Sequence, residues 1–127
     1  MEFKPGFRLS VMDMGIILAG IALSVYLYRF VFVWGCIVIF VVGHFFLFCN
    51  VFRISRVPEL IWAGSFCLLA GLTLLIGVPG WPAVFAAAVM LSTGLILRET
   101  RQASYHGVFW RRLNPDLQKW WQNRQGA

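Results

Sequence analysis

Charge is the scarcest feature of this chain. Only 13% of its 127 residues are charged, against about a quarter in soluble domains, and just five residues are acidic. Hydrophobic residues make up 60% of the sequence. This composition excludes an ordinary soluble domain and predicts a membrane protein.

The sequence also lacks the patterns of metal centres and common enzymes. Its three cysteines, Cys36, Cys49 and Cys67, form no C-x-x-C and no Cys/His ligand spacing, so we interpret them as small apolar residues. No phosphate-binding loop, H-E-x-x-H motif or nucleophile elbow occurs. We therefore predict no cofactor and no catalytic residue, and the sequence favours a protein that is not an enzyme.

What the chain does have is four long apolar segments, at about residues 11–28, 30–52, 60–78 and 81–97. Each is close to the roughly 20 residues that a helix needs to cross about 30 Å of hydrocarbon. A tight turn near Arg29 joins the first two, and the Pro- and Gly-rich "GVPGWP" joins the last two. We predict an all-α membrane protein whose residues 1–97 form a four-transmembrane-helix bundle of two helical hairpins.

The lysines and arginines predict the orientation of these spans. With both termini inside, every basic residue except Arg29 lies on the cytoplasmic side, in accord with the positive-inside rule. An odd number of spans would place the basic tail outside. We therefore expect an integral protein of a bacterial-type cytoplasmic membrane with both termini in the cytoplasm.

The tail, residues 98–127, mixes basic and aromatic residues directly after the last span. Such a pattern favours a segment on anionic lipid headgroups over one that binds nucleic acid. Asn114 and Pro115 predict the start of a short interfacial helix, with Asn114 as its cap. We expect membrane lipids, including anionic ones, as partners, together with other membrane subunits or further copies of the chain.

One stretch, "GHFFLFCNVFRISRVPEL" at residues 43–60, gathers polar side chains at the end of the second span. On a continuous helix, which turns about 100° per residue, His44 faces away from Cys49, Asn50, Arg53 and Arg56. His44 is a candidate haem, metal or quinone contact, or a proton-relay group, because ionisable residues inside a span are costly. The alternative is a neutral histidine bonded to a neighbouring helix.

Asn50, Arg53, Arg56 and Glu59 have a simpler interpretation. Basic side chains at a helix exit extend to phosphate headgroups, and Glu59 lies in the first turn of the third helix, where its charge is favourable. A pair between Glu59 and either Arg53 or Arg56 would fix the short inner loop. We favour this structural clamp over a ligand-binding role.

Asp13 is the remaining candidate, at the cytoplasmic edge of the first span. It shares a helical stripe with Ile17, Gly20 and Ser24, which is the spacing of a packing face. Its carboxylate could serve transport or could lie in headgroup water. Because Arg8 is only five residues away, we favour an interfacial position.

Three classes of function remain open. A small bundle with few internal polar groups favours an accessory or assembly subunit of a larger membrane complex. The alternatives are a small oligomeric transporter or channel, and a cofactor- or quinone-binding redox subunit that uses His44.

Overall fold

The computed structural model of the chain describes residues 3–126, and within them it is all-helical, with no strand. Four long helices follow the apolar segments: α1 (Val11–Phe30), α2 (Phe32–Phe46, extended by a π-helical turn at Leu47–Val51), α3 (Arg56–Ile76) and α4 (Trp81–Thr100). Two short helices follow, α5 (Trp110–Leu113) and α6 (Leu117–Gln125). All four long helices have the length and hydropathy to cross a membrane, which indicates a membrane location.

Local sequence explains where these helices begin and end. Ser10 caps α1, because its hydroxyl accepts from the Asp13 amide. Gly77 ends α3 in the left-handed region, at φ +74°, which glycine adopts without strain. Pro82 lies in the first turn of α4, where its missing N–H costs nothing. The helix ends differ from those expected by up to four residues, most of all at Arg56, which begins α3.

Small residues bring α1 and α2 together. Gly20 faces the Val42 side chain, and Gly35 lies against the backbone of α1 near Tyr28. The buried Ser24 hydroxyl donates to the Gly35 carbonyl at 2.7 Å. Close contact between small residues is how helices associate where lipid offers no hydrophobic contrast.

Large aromatic residues, in contrast, hold α2, α3 and α4 together. The buried apolar core consists of Phe48, Trp62, Phe66, Val84, Ala88 and Leu95. Phe40 on α2 contacts Trp62 and Phe66 on α3 and Phe85 on α4, with ring centroids 4.8 to 6.1 Å apart. The core therefore lies among the last three long helices, and α1 flanks α2.

The tail contains a short helix, as expected, but its cap differs. Asp116 rather than Asn114 precedes α6. The Asn114 amide instead donates to the carbonyls of Ala103 and Tyr105, at 2.7 and 3.1 Å. The predicted cap is wrong because this side chain folds back to hold the segment before α5.

Candidate functional site

The centre of the aromatic core is Trp62, only 1% of which is exposed. Its ring lies nearly parallel to the ring of His44, with the centroids 4.7 Å apart, and nearly parallel to the ring of Phe66, with the centroids 5.4 Å apart. The indole nitrogen donates to the Ala88 carbonyl at 3.1 Å. This ring stack, His44–Trp62–Phe66, therefore joins α2 to α3. The indole hydrogen bond joins α3 to α4 and satisfies the one polar atom of the tryptophan.

His44 is half-buried at one end of the ring stack. Its Nδ1 lies 2.9 Å from the Phe40 carbonyl, and since a carbonyl only accepts, Nδ1 carries the proton. Nε2 faces the Ser92 hydroxyl of α4 at the longer distance of 3.4 Å. The histidine thus has partners on its own helix and on two others, and within residues 3–126 no group of three His, Cys, Asp or Glu residues could hold a metal.

Asp13 occupies the first turn of α1 and is engaged by Ser10. Its carboxylate accepts from the Ser10 amide at 2.8 Å and from the Ser10 hydroxyl at 2.6 Å, while the Asp13 amide donates back to that hydroxyl. This reciprocal arrangement is a capping box. A carboxylate here also complements the positive end of the helix.

At the same end of the molecule, Asn50 ties the second span to the segment before α1. Its side-chain amide donates to the Arg8 carbonyl at 2.8 Å, and the Arg8 amide donates to the Asn50 carbonyl at 3.1 Å. Asn50 reaches this position through the π-helical turn, in which the Phe52 amide bonds to Leu47 five residues earlier. Such turns insert an extra residue and redirect the side chains that follow.

Arg53 and Arg56 do not continue the face of α2, so their expected helical angles are wrong. Arg53 adopts a left-handed conformation, with φ +48°, and Arg56 begins α3. The Arg53 guanidinium donates to the Lys4 carbonyl at 2.6 Å. Burial lowers the pKa of Arg53 below its usual value, and the nearby charge of Arg8 lowers it further.

The expected clamp between Glu59 and an arginine is also wrong. Within residues 3–126 neither Arg53 nor Arg56 forms an ion pair with Glu59. Arg53 turns towards the N-terminal segment instead, and the Cys49 thiol donates to Glu59 at 3.7 Å. The inner loop is therefore held by hydrogen bonds rather than by a charge pair.

Glu99, which the sequence analysis missed, holds that loop from α4. It is only 6% exposed, and its carboxylate accepts from the Ser55 amide at 3.0 Å and from the Gln102 side chain at 3.1 Å. Glu99 thereby joins the start of α3 to the end of α4. The available signal was an acidic residue in the last turn of an apolar span, where a buried carboxylate needs partners.

The tail completes this end of the molecule. The Val108 amide donates to the Val51 carbonyl at 2.8 Å, and the Gly6 amide donates to the His106 carbonyl at 2.7 Å. Gly107 lies so close to the Phe52 carbonyl that a Cβ would overlap it. The N-terminal segment, the turn at residues 51–55 and the segment at residues 104–108 therefore form one hydrogen-bonded platform.

Tyr105 is buried within the platform. Its hydroxyl donates to the Val108 carbonyl at 2.8 Å, and burial raises its pKa to about 12. The group therefore keeps its proton, and its hydrogen bond, above the pH of about 10 at which an ordinary tyrosine ionises.

Two clefts open beside the platform. One, of about 830 Å³, and another, of about 370 Å³, share Arg8, Arg53 and His106 among their lining residues. A third opening, of about 280 Å³, lies between α1 and α2 and is mostly apolar, with Asp13 and Asn50 on its wall. The arrangement separates an aromatic interior from a basic platform surface.

No protein-family model, curated protein or solved structure matches this chain.

Proposed function

We propose that this protein is a non-catalytic accessory or assembly subunit of a larger membrane complex, and that it acts through its outer surface. The observation that carries this proposal is the ring stack, His44–Trp62–Phe66. Close-packed rings fill the space among α2, α3 and α4, which supports a packing role for this interior over a passage for a solute or a pocket for a cofactor.

The buried polar side chains of the described residues support the same proposal. Each has a hydrogen-bond partner inside the chain: Ser24 with Gly35, Asn50 with Arg8, Thr73 with Gly80, Ser92 with Val89, and Glu99 with Ser55. In a solute pathway, polar and ionisable side chains inside the membrane commonly face a cavity or a water-filled passage. These groups instead serve the packing of the helices.

The membrane arrangement belongs to this proposal. We infer two helical hairpins, α1 with α2 and α3 with α4, in a four-helix bundle of a bacterial-type cytoplasmic membrane, with both termini cytoplasmic and the tail at the interface. The hydrogen bonds among the N-terminal segment, the turn at 51–55 and the tail support a common side for all three. Their basic residues favour the cytoplasmic side.

Reporter fusions test this topology. Reporters placed after Arg29 and at Gly80 should be active outside the membrane, whereas one placed after Arg124 should be active only inside. An externally active reporter at Arg124 would contradict the arrangement.

Helix α1 is the surface that we assign to a partner. It buries only two small residues, Gly20 and Ser24, both directed to α2. Large apolar side chains are exposed around the rest of it: Val11, Met12, Met14, Leu18, Ile21, Leu23 and Val25. A neighbouring membrane helix could pack on this surface by shape alone, since lipid already satisfies its hydrophobicity.

Photocrosslinking in native membranes tests the assignment. A photoreactive amino acid at Leu23 on α1 should give one discrete adduct with a different, larger membrane protein. The matched control is Leu75 on α3, which is also exposed and should give lipid adducts only. Deleting the chain should then impair assembly of the crosslinked protein.

Other outcomes of the same work would overturn the accessory role. An adduct of twice the chain mass, together with substrate-dependent proton flux in vesicles, would favour a small oligomeric transporter. A Soret band in the purified protein, lost on changing His44, would favour the redox alternative.

A further inference from the structure

Basic side chains are concentrated on the platform surface. Arg8, Arg53 and His106 line both basic clefts, Lys4 lines the larger cleft, and Arg56 lines the smaller one. Basic side chains from three separate parts of the chain are therefore brought to one place. Hydrogen bonds between these parts fix the arrangement, since Arg53 is bonded to the Lys4 carbonyl and the His106 carbonyl accepts from Gly6.

Two carboxylates, Glu59 and Glu99, also line the smaller cleft, whereas none of the described residues that line the larger cleft is acidic. Glu99 accepts from Ser55 and Gln102, and Glu59 accepts from Cys49. Within residues 3–126 no ion pair joins Arg8, Arg53 or Arg56 to a carboxylate. In the larger cleft, holding the Arg8 and Arg53 guanidinium groups together costs free energy, which an anion bound between them would recover.

An apolar crevice begins where the basic cleft ends. It lies between α1 and α2, and most of its wall is formed by Ile16, Ile17, Val42, Phe45 and Phe46. Cys49 lines both the crevice and the smaller cleft. Asn50, on the crevice wall, is bonded to Arg8 of the cleft. Asp13 also lines the crevice, with its carboxylate held by Ser10.

We infer that the cleft and the crevice together form a specific site for one anionic phospholipid. The lipid phosphate binds among Arg8, Arg53 and His106, and one acyl chain lies in the crevice between α1 and α2. A phospholipid carries an anionic phosphate next to an apolar acyl chain. The basic cleft lies next to the apolar crevice, so each opening fits one part of the lipid. This site does not depend on the accessory role, because it requires only the platform and the first two helices.

Lipid binding to the full-length protein in detergent, measured by native mass spectrometry, tests the inference. Phosphatidylglycerol should bind more tightly than phosphatidylcholine with the same acyl chains. Glycerophosphoglycerol, the same headgroup without chains, and inorganic phosphate should each bind far more weakly than the intact lipid. Equal binding of the two lipids would overturn the proposal, and equal binding of inorganic phosphate would assign the cleft to a soluble ligand instead.

Charge variants locate the phosphate. Arg8→Gln combined with Arg53→Gln should weaken phosphatidylglycerol binding about thirtyfold. Each basic side chain near an anionic lipid contributes about 1 kcal/mol, and the loss of two corresponds to this fold-change in affinity. The matched control, Arg29→Gln combined with Arg124→Gln, also removes two charges but alters neither cleft. An equal loss in the control would show non-specific attraction and refute the site.

A crevice variant keeps the test independent of charge and of platform folding. Ile16→Trp fills the crevice from its open side, where Ile16 is 56% exposed, and should reduce the preference for the intact lipid over its headgroup. Leu18→Trp, at a 63% exposed position on the same helix outside the crevice, is the control. Unchanged lipid binding in Ile16→Trp, with both variants folded, would contradict the acyl-chain position.

Discussion

Replacing Gly35 by alanine tests the packing that joins α1 to α2. A Cβ at this buried position would lie 2.7 Å from the Tyr28 Cβ and 2.8 Å from the Ser24 carbonyl oxygen. Both are closer than a carbon contact allows, and the second involves backbone that cannot rotate away. The two helices must therefore move apart, which also weakens the bond from the Ser24 hydroxyl to the Gly35 carbonyl.

Two effects of the Gly35→Ala change lower the free energy of unfolding, and one raises it. Overpacking of this kind costs about 1 to 3 kcal/mol, and a weakened hydrogen bond between membrane helices adds about 0.6 kcal/mol. Alanine regains up to about 1 kcal/mol because it favours the helix over glycine. With the full gain from alanine, the net loss in the free energy of unfolding is about 0.6 to 2.6 kcal/mol.

Unfolding of the purified protein by a denaturing detergent, followed by circular dichroism, measures this change. Gly43→Ala is the matched control on the same chain segment, because no atom lies within 4 Å of a Cβ there. That variant should be neutral or slightly stabilised. If Gly35→Ala and Gly43→Ala have the same stability, the close contact between α1 and α2 is refuted.

Three further predictions use the same protein. His44→Leu should leave topology intact and cost about 0.6 to 2 kcal/mol of unfolding free energy; loss of complex assembly without loss of stability would instead make His44 functional. Gly107→Ala, whose Cβ would overlap the Phe52 carbonyl, should speed amide hydrogen exchange in the platform. Gly126→Ala should not, because the nearest atom to its Cβ would be 3.6 Å away. The Tyr105 hydroxyl should ionise near pH 12, which phenolate absorbance measures. Because its pKa is raised in the folded state, the free energy of unfolding should fall as the pH rises from about 10 towards 12. Ionisation near pH 10 would contradict its burial.

The locations of the long helices followed from the sequence because hydropathy is a local property. Twenty consecutive apolar residues specify a membrane-length helix whatever its neighbours are. The turn between α3 and α4 was also predictable from the sequence. Gly77 and Gly80 permit backbone conformations with positive φ, and Pro82 favours the start of a helix. The existence of a short helix in the tail was also predicted.

The candidate residues were only partly predictable. The sequence indicated that His44 needs a partner from another helix, but not that Trp62 and Ser92 are those partners. It named Arg53 on the assumption of a continuous helix, which the π-helical turn and the left-handed conformation of Arg53 break. Glu99 was missed because its role depends on Ser55, 44 residues away.

Local residue chemistry thus specifies the apolar helices, the breaks between them and the excess of positive charge. Which side chains meet depends on the folded arrangement: His44 contacts Trp62, Asn50 bonds to Arg8, and the tail bonds to the turn at 51–55. The physical reason is the range of the interactions. Helix formation and hydropathy are sums over neighbouring residues, whereas these contacts depend on how whole helices are placed. Small residues such as Gly20 and Gly35 allow helices to approach closely, but they do not specify which helix is the partner.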